Sequence, residues 1–436
     1  MEENKKMLGA VTIPQEIAQD LQSSLKNIAD FGKKIDAYTA ESTTNILDVV
    51  LFGAIVLQAS DIHLEPQEEQ VRLRIRVDGL LQDAHIFEKE IYHHILSRLK
   101  LLSKIKLNIT DKAQDGRFTI AMAEDVIEIR TSSLPAEYGE SIVMRILNPK
   151  NLKELDTLGL RKDLYDIFTQ EIKKPNGMIV VTGPTGAGKT TTLYAFLLKI
   201  QNPEIKIITI EDPIEYHIQG ISQTQADPEK GYGFAEGLRS IVRQDPDVIL
   251  VGEIRDLETA KIALQASLTG HLVLTTLHTN SAIGAIPRLI DLGTDGASIA
   301  SALKMSVGQR LVRKVCKECA VMQKPSAEEL AEIKKGLKNL PETAETPDLI
   351  GLKIAKAKEK GCPACNLTGY KGRKGLYEVF LVDAHMEKFI LTNPAESTIK
   401  ELAVKNGMVT MWQAGLIEVV LGNTTLEEVK KVVEAD

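Results

Sequence analysis

The sequence predicts an α/β fold, a parallel sheet flanked by helices and preceded by a smaller α+β domain, and three observations predict it. "GMIVVTG", "KIITIED", "DVILVGE" and "HLVLTTLH" are short apolar runs separated by helical stretches, the pattern of a parallel sheet with crossover helices. Upstream, "DIHLEP", "VRLRIRVDG" and "VIEIRTSSLP" read as strands, the second alternating charged and apolar residues. The chain has 436 residues. At about 100–200 residues per domain, that is too long for one core.

Residues 1–45 are polar, with Ile17, Leu21, Leu25 and Ile28 at helical spacing, and read as a helix plus linker. "MEENKKML" lacks the apolar core of a secretory signal. A helix over "ILDVVLFGAIVLQAS" opens the α+β domain, residues 46–150. The charge-free run Val49–Leu57 falls far short of the roughly 20 residues that span a bilayer. Arg72, Arg74 and Arg76 share one face of a strand and are expected to be solvated or to meet another subunit. Asp78-Gly79 then turns the chain. Residues 151–436 hold the α/β core, a Cys-bearing module over 311–380 and C-terminal helices.

Composition narrows the function. Lys and Arg total 53 against 60 Asp and Glu, a net charge of −7, so the chain has no global attraction for nucleic acid, and none is expected as a partner. Four cysteines in two Cys-x-x-Cys pairs fit a reducing compartment and metal binding better than a disulfide framework. A cytoplasmic protein is expected.

"GPTGAGKTT" is Gly183, Pro184, Thr185, Gly186, Ala187, Gly188, Lys189, Thr190 and Thr191. It follows an apolar strand and precedes a helix, the context of a phosphate loop. Its glycines let backbone N–H groups wrap a phosphate, Lys189 reaches the terminal phosphates of ATP, and the Thr190 hydroxyl ligates magnesium. A second metal contact normally comes from an Asp ending an apolar strand, yet Val248–Val251 runs into Gly252. Two acids end strands of the predicted sheet, Glu211 and Glu253. Strand ends gather around the phosphate loop, so both face the γ-phosphate, one on the metal side through water and one positioning the attacking water. Glu253 is assigned to the metal and Glu211 to the water, with the roles exchangeable.

Cys316 and Cys319 are followed, after 42 intervening residues, by Cys362 and Cys365. Two such knuckles supply four thiolates for a structural zinc, and the Lys/Glu-rich stretch between them is expected to form a helical hairpin.

"LRSIVRQDPDVILVGEIRDLETAKIA", "LTGHLVLTTLHTN", "GQRLVRKVCKEC" and "GCPACNLTGYKGRKGLYE" resemble the type II secretion and type IV pilus assembly ATPases, a family of hexameric secretion motors. The resemblance runs from about residue 46 to the end. It implies a RecA-like P-loop core behind a small PAS-like α+β domain, with Glu253 as the metal-side acid. It implies arginines at the nucleotide: Arg130 and Arg145 from the N-terminal domain, Arg239, Arg243 and Arg255 from the core, and Arg373 from a neighbouring subunit. His278 would sense the γ-phosphate, while His271 reads equally as structural. The implied function is a homohexameric Mg-ATPase that drives pilin or pseudopilin polymerisation through an inner-membrane platform protein, recruited to the membrane by it. Most assembly and secretion members carry a larger N-terminal domain than the roughly 45 residues that stand here in its place, so docking is less defined than the chemistry. A DNA-uptake pseudopilus ATPase is the alternative within the family. A ring nucleic-acid translocase lies outside it and is disfavoured by a pI near 5.8 and a single Trp. A non-hydrolysing nucleotide-gated scaffold is disfavoured by the paired acids.

Overall fold

The computed structural model describes residues 10–39, 43–122, 126–341, 343–344 and 347–435. The stretch "MEENKKML" lies outside the described residues. The chain forms two compact units: Met1–Asn151 with Cys316–Cys319 and Lys358–Lys371, and Leu152–Val315 with Ala320–Ala357 and Gly372–Asp436. Both cysteine knuckles therefore cluster with the first unit, whereas the sequence reading put them with the ATPase core.

In the first unit, β1 (Ala10–Thr12) is followed by α1 (Gln15–Ser24), α2 (Ile28–Thr39) and α3 (Thr43–Val56). Then come β2 (Asp61–Pro66), β3 (Gln70–Val77), β4 (Leu80–Glu88), α4 (Lys89–Leu102), β5 (Gln114–Ala121), β6 (Val126–Ala136) and β7 (Gly139–Leu147). The sheet order is β1-β5-β6-β7-β2-β3-β4. Where one N-terminal helix was expected there are two, because Asn27 caps the second by accepting the Asp30 N–H at 2.9 Å. Ile17, Leu21, Leu25 and Ile28 are all buried, as their spacing predicts, in one core with Phe31, Leu73 and Ile75. At the β3–β4 turn Asp78 and Gly79 both have positive φ, 51° and 85°, as a type I′ hairpin requires. The arginine face of β3 is neutralised inside the unit: Arg72 pairs with Asp83, Arg74 with Glu65 and Asp83, and Arg76 with Asp61.

The second unit opens with α5 (Lys162–Glu171), β8 (Gly177–Thr182), α6 (Lys189–Ile200), β9 (Ile207–Glu211) and β10 (Ser222–Gln225). It continues through α7 (Phe234–Val242), β11 (Val248–Val251), α8 (Leu257–Leu268), β12 (Leu272–Leu277), α9 (Ala285–Asp291), α10 (Gly296–Ala302) and β13 (Leu303–Val315). The remaining elements are β14 (Val321–Gln323), α11 (Ala327–Gly336), β15 (Ile354–Lys356), β16 (Tyr370–Leu381), α12 (Ala384–Ile390), α13 (Glu396–Lys405), α14 (Met411–Val420) and α15 (Leu426–Lys430). The sheet order is β10-β9-β11-β12-β8-β13-β16. Strands β8, β9, β11 and β12 are buried at every residue. That is why they read as unbroken apolar runs: helices cover both faces of the sheet. One face packs against α5 and α6, the other against α7 to α10 with α12 and α13.

Between the cysteine pairs the expected helical hairpin is, among the described residues, one helix and a β-ribbon. Ser326 and Glu329 form a capping box that starts α11. The following chain returns as β15, antiparallel to β14, because Ile354 and Ala355 find a buried face beside Trp412 and Ile333 rather than a helical stripe.

Candidate active site

Strand β8 ends at Thr182, and the loop that follows turns through three glycines at positive φ: Gly183 (147°), Gly186 (80°) and Gly188 (87°). A Cβ on Gly183 would sit 2.6 Å from the Gln309 carbonyl oxygen, so only glycine fits where β13 backs the loop. Gly188 caps α6 with no side-chain hydrogen bond, leaving the first N–H groups of the helix to an anion. Pro184, Thr185 and Gly186 are exposed, Ala187 is buried, and Thr190 and Thr191 are half-buried in the first turn. Lys189 folds back on the loop, donating to the carbonyl oxygens of Gly183 at 2.8 Å and Pro184 at 3.2 Å. Burial lowers its pKa, and the Glu253 carboxylate opposes that shift.

Gly252 stands where an Asp was expected, and packing explains it. A Cβ there would come within 3.3 Å of both the Glu211 Cα and the Ile210 carbonyl oxygen. The Gly252 N–H donates to that same oxygen at 2.8 Å. The end of β11 is thus pressed against β9, and the next residue, Glu253, is the first that can project a long acid. Glu253 pairs with Arg255 and lies 3.6 Å from His278 Nε2. The structure therefore brings Glu253, Arg255, His278 and Lys189 into one electrostatic cluster. Burial and the Lys189 ammonium hold the His278 pKa below its usual 6.5, against the pull of Glu253.

Glu211 has a different setting. It is 3% exposed, and its oxygens accept hydrogen bonds from the Tyr194 hydroxyl, from Thr209 Oγ1 at 2.6 Å and from Gln223 Nε2 at 3.2 Å. Its hydrogen bonds go to α6, β9 and β10.

Arg239 pairs with Glu258, and Arg243 donates to Ser240 Oγ at 3.3 Å, both at the end of α7. Arg373 is exposed on β16. Arg130 and Arg145 belong to the first unit and face each other across β6 and β7, with Glu128 and Asp61 beside them. His271 bonds the Ala266 carbonyl through Nδ1 at 3.0 Å, the structural alternative weighed for it. Sequence reasoning missed two residues: Gln309, whose Oε1 accepts from Thr192 Oγ1 at 2.8 Å, and Arg310 beside it. Both lie in β13, whose Gly308 is in register with Thr182. They fall in the quoted stretch "GQRLVRKVCKEC", but only proximity in the folded sheet puts them beside the phosphate loop.

The cysteine sulfurs converge as well, all within 4.8 Å of one another. Cys316–Cys362, Cys319–Cys365 and Cys362–Cys365 Sγ separations are 3.8, 3.9 and 3.8 Å. A tetrahedron with metal–sulfur arms of about 2.3 Å has edges of roughly 3.8 Å, so the donor set fits zinc. Burial raises the Cys365 pKa, but N–H groups of Cys362 and Gly369 at 3.1 and 3.2 Å outweigh it and bring the thiol to about 7. These two N–H groups orient the sulfur that a metal would take.

A parallel sheet whose strand ends gather a glycine-turned phosphate loop, its lysine and an acid defines a P-loop nucleoside triphosphatase. The family model described as Type II/IV secretion system protein matches residues 36–431. The "Type II secretion system ATPase E" of Vibrio cholerae is 42% identical over 389 residues, 89% of this chain and 74% of its own length. The "Type IV pilus assembly ATPase PilB" of Thermus thermophilus is 42% identical over 383 residues, 87% of this chain and 42% of its own. Among solved structures, the pilus retraction motor PilT with bound ADP superposes with a TM-score of 0.59 at 26% identity, over 89% of this chain and 96% of that one. The chain belongs to the type II/IV secretion system protein family, and it is an ATPase of that family. Among the described residues, no helix is long and apolar enough to cross a membrane.

Proposed function

We propose that this ATPase is the motor of a type IV pilus assembly or type II secretion machine, working as a homohexameric ring in the cytoplasm. An inner-membrane platform protein would hold it at the membrane, and its cycle would add pilin or pseudopilin subunits to a filament. The observation that carries this reading is the four-thiol cluster in a chain that also holds a complete ATPase core. Assembly and secretion members of the resembled family carry such a module, whereas retraction members usually lack it. The charge balance of −7 and the internally paired arginines of β3 speak against nucleic-acid translocation.

Lys189 and the N–H groups of the loop bind the terminal phosphates. Thr190 and Glu253 would hold magnesium, which neutralises charge on those phosphates when bound. His278 and Arg255 lie beside Glu253, the side toward which a γ-phosphate would extend. Glu211 is 3% exposed and already accepts from Tyr194, Thr209 and Gln223, so we place it in the framework of the site and give the water to Glu253. Arg373 is the residue offered to a neighbouring subunit, and its exposure is compatible with that.

The test is genetic and physical together. A strain lacking the chain should lose surface pili or extracellular secretion and regain it with wild-type protein but not with Lys189→Ala. Purified protein with ATP should scatter light as six subunits. An unaffected strain, or a stable monomer at every nucleotide state, contradicts the reading.

A further inference from the structure

Arg310 falls in the basic stretch "GQRLVRKVCKEC". Its place in the fold is different from that of the other basic residues there. β13 runs parallel to β8 with Gly308 beside Thr182, so the residues after Gly308 accompany the first residues of the phosphate loop. The side chain of Arg310 is half-buried there. Its Nη1 donates to the Gln309 carbonyl oxygen at 3.0 Å, and its Nη2 to the Asn280 carbonyl oxygen at 2.8 Å. The same Nη1 lies 3.3 Å from the point a Cβ on Gly183 would occupy. The guanidinium is thus clamped by two carbonyls against the start of the loop.

Lys189 reaches the same place from the other end of the loop, through the carbonyls of Gly183 and Pro184. The two cations repel each other: Arg310 is one of the groups that lower the Lys189 pKa. Burial lowers the Arg310 pKa too, and Glu378 is the carboxylate that opposes it. Glu378 is itself 4% exposed and accepts backbone N–H groups of Ala282 at 2.9 Å and Met411 at 3.1 Å. Holding a guanidinium partly out of water next to an ammonium is unfavourable in the empty protein. A polyanion at the loop reverses the sign of that energy, because both cations then face negative charge across a low-dielectric wall.

We propose that Arg310 is a further nucleotide-binding residue, supplying the second fixed positive charge that the phosphate loop presents to a triphosphate. The clamp on Gln309 and Asn280 sets its position, and the charge does the binding.

Equilibrium binding of Mg-ATP and of ADP to the full chain, with a fluorescent analogue and unlabelled competition, tests this. Arg310→Gln keeps a donor for Asn280 but removes the charge, and should weaken ATP binding on the order of tenfold, with a smaller loss for ADP. Arg310→Lys keeps the charge and should stay within about threefold of wild type. Raising salt should narrow the gap between wild type and the glutamine variant. Thermal unfolding reports whether each variant is folded, and Arg310→Met serves as a second uncharged variant if glutamine is not tolerated. Lys189→Ala, which must lose nucleotide, separates failure of the site from failure of the proposal. Wild-type affinity in either uncharged variant overturns it. So does an equal loss in Arg310→Lys and Arg310→Gln, which would make the side chain a strut for Asn280 rather than a charge.

Discussion

The ends of β9 and β11 are neighbours in one sheet, each finishing in a glutamate, and the two glutamates have opposite surroundings. Glu211 is enclosed, with donors from Tyr194, Thr209 and Gln223. Glu253 is half-buried and meets the Arg255 guanidinium and the His278 imidazole at the side of the phosphate loop. Position at a strand end brings an acid near the nucleotide. What surrounds the acid decides whether it is held for structure or left available for chemistry. The crowding between Gly252 and the backbone of Ile210 and Glu211 ties the two together: it leaves no room for a side chain at 252, and the next residue along is Glu253.

The contrast can be broken by substitution, and the largest effect is expected at Glu253. Glu253→Gln should still bind ATP and lower steady-state turnover roughly a hundredfold or more, since it removes a group acting mainly on the transition state. A phosphate-release assay with parallel nucleotide binding reads both, and turnover within tenfold of wild type removes Glu253 from this role. Glu211→Ala should act on stability instead. It removes the acceptor of the fully buried Tyr194 hydroxyl and should lower unfolding free energy by roughly 2–4 kcal/mol in chemical denaturation. Glu253→Ala, with its half-exposed partners, should change stability by less than about 1 kcal/mol.

A third acid sharpens the rule from the other direction. Asp48 on α3 is 3% exposed, and its Oδ1 has no hydrogen-bond partner. Burial, opposed by Arg98, pushes its pKa from 3.8 up to about 6. The folded state therefore holds the proton more tightly than the unfolded state. Its favourable contribution is full below pH 3.8 and lost as pH rises through about 6. Asp48→Asn should leave stability near wild type at pH 4 and raise it by roughly 1–3 kcal/mol at pH 8, measured by denaturant titration at both. A smaller effect belongs to His278. Its depressed pKa keeps the imidazole neutral near neutrality, so an acid limb of turnover due to it should begin only below pH 6.5 and vanish in His278→Gln. A limb unchanged in that variant assigns it elsewhere.

The parallel strands of the second unit were legible because burial on both faces leaves continuous apolar runs with few alternatives. β13 was not, because "LKMSVGQRLVRKV" mixes a buried first half with a basic second half and owes its strand form to β8 and β16 on either side. Arg310 was lost with it. β4 is an edge strand with several exposed positions, and β1 is three residues long, so neither leaves a strong period. The phosphate loop and the cysteines were legible from spacing alone. The enclosure of Glu211 was not, because donors that surround it come from α6 and β10, elements whose approach no local pattern records.

The central claim is the division of labour between the two glutamates, and single-turnover hydrolysis measures it most directly. ATP is bound to excess Glu253→Gln or Glu211→Gln protein, the chemical step is started with magnesium, and the thermal midpoint of each variant is recorded in the same buffer. The account predicts that Glu253→Gln loses the chemical step at an unchanged midpoint. Glu211→Gln should keep hydrolysis within about tenfold of wild type while its midpoint falls by several degrees. Loss of the chemical step in Glu211→Gln with its midpoint intact would contradict the account.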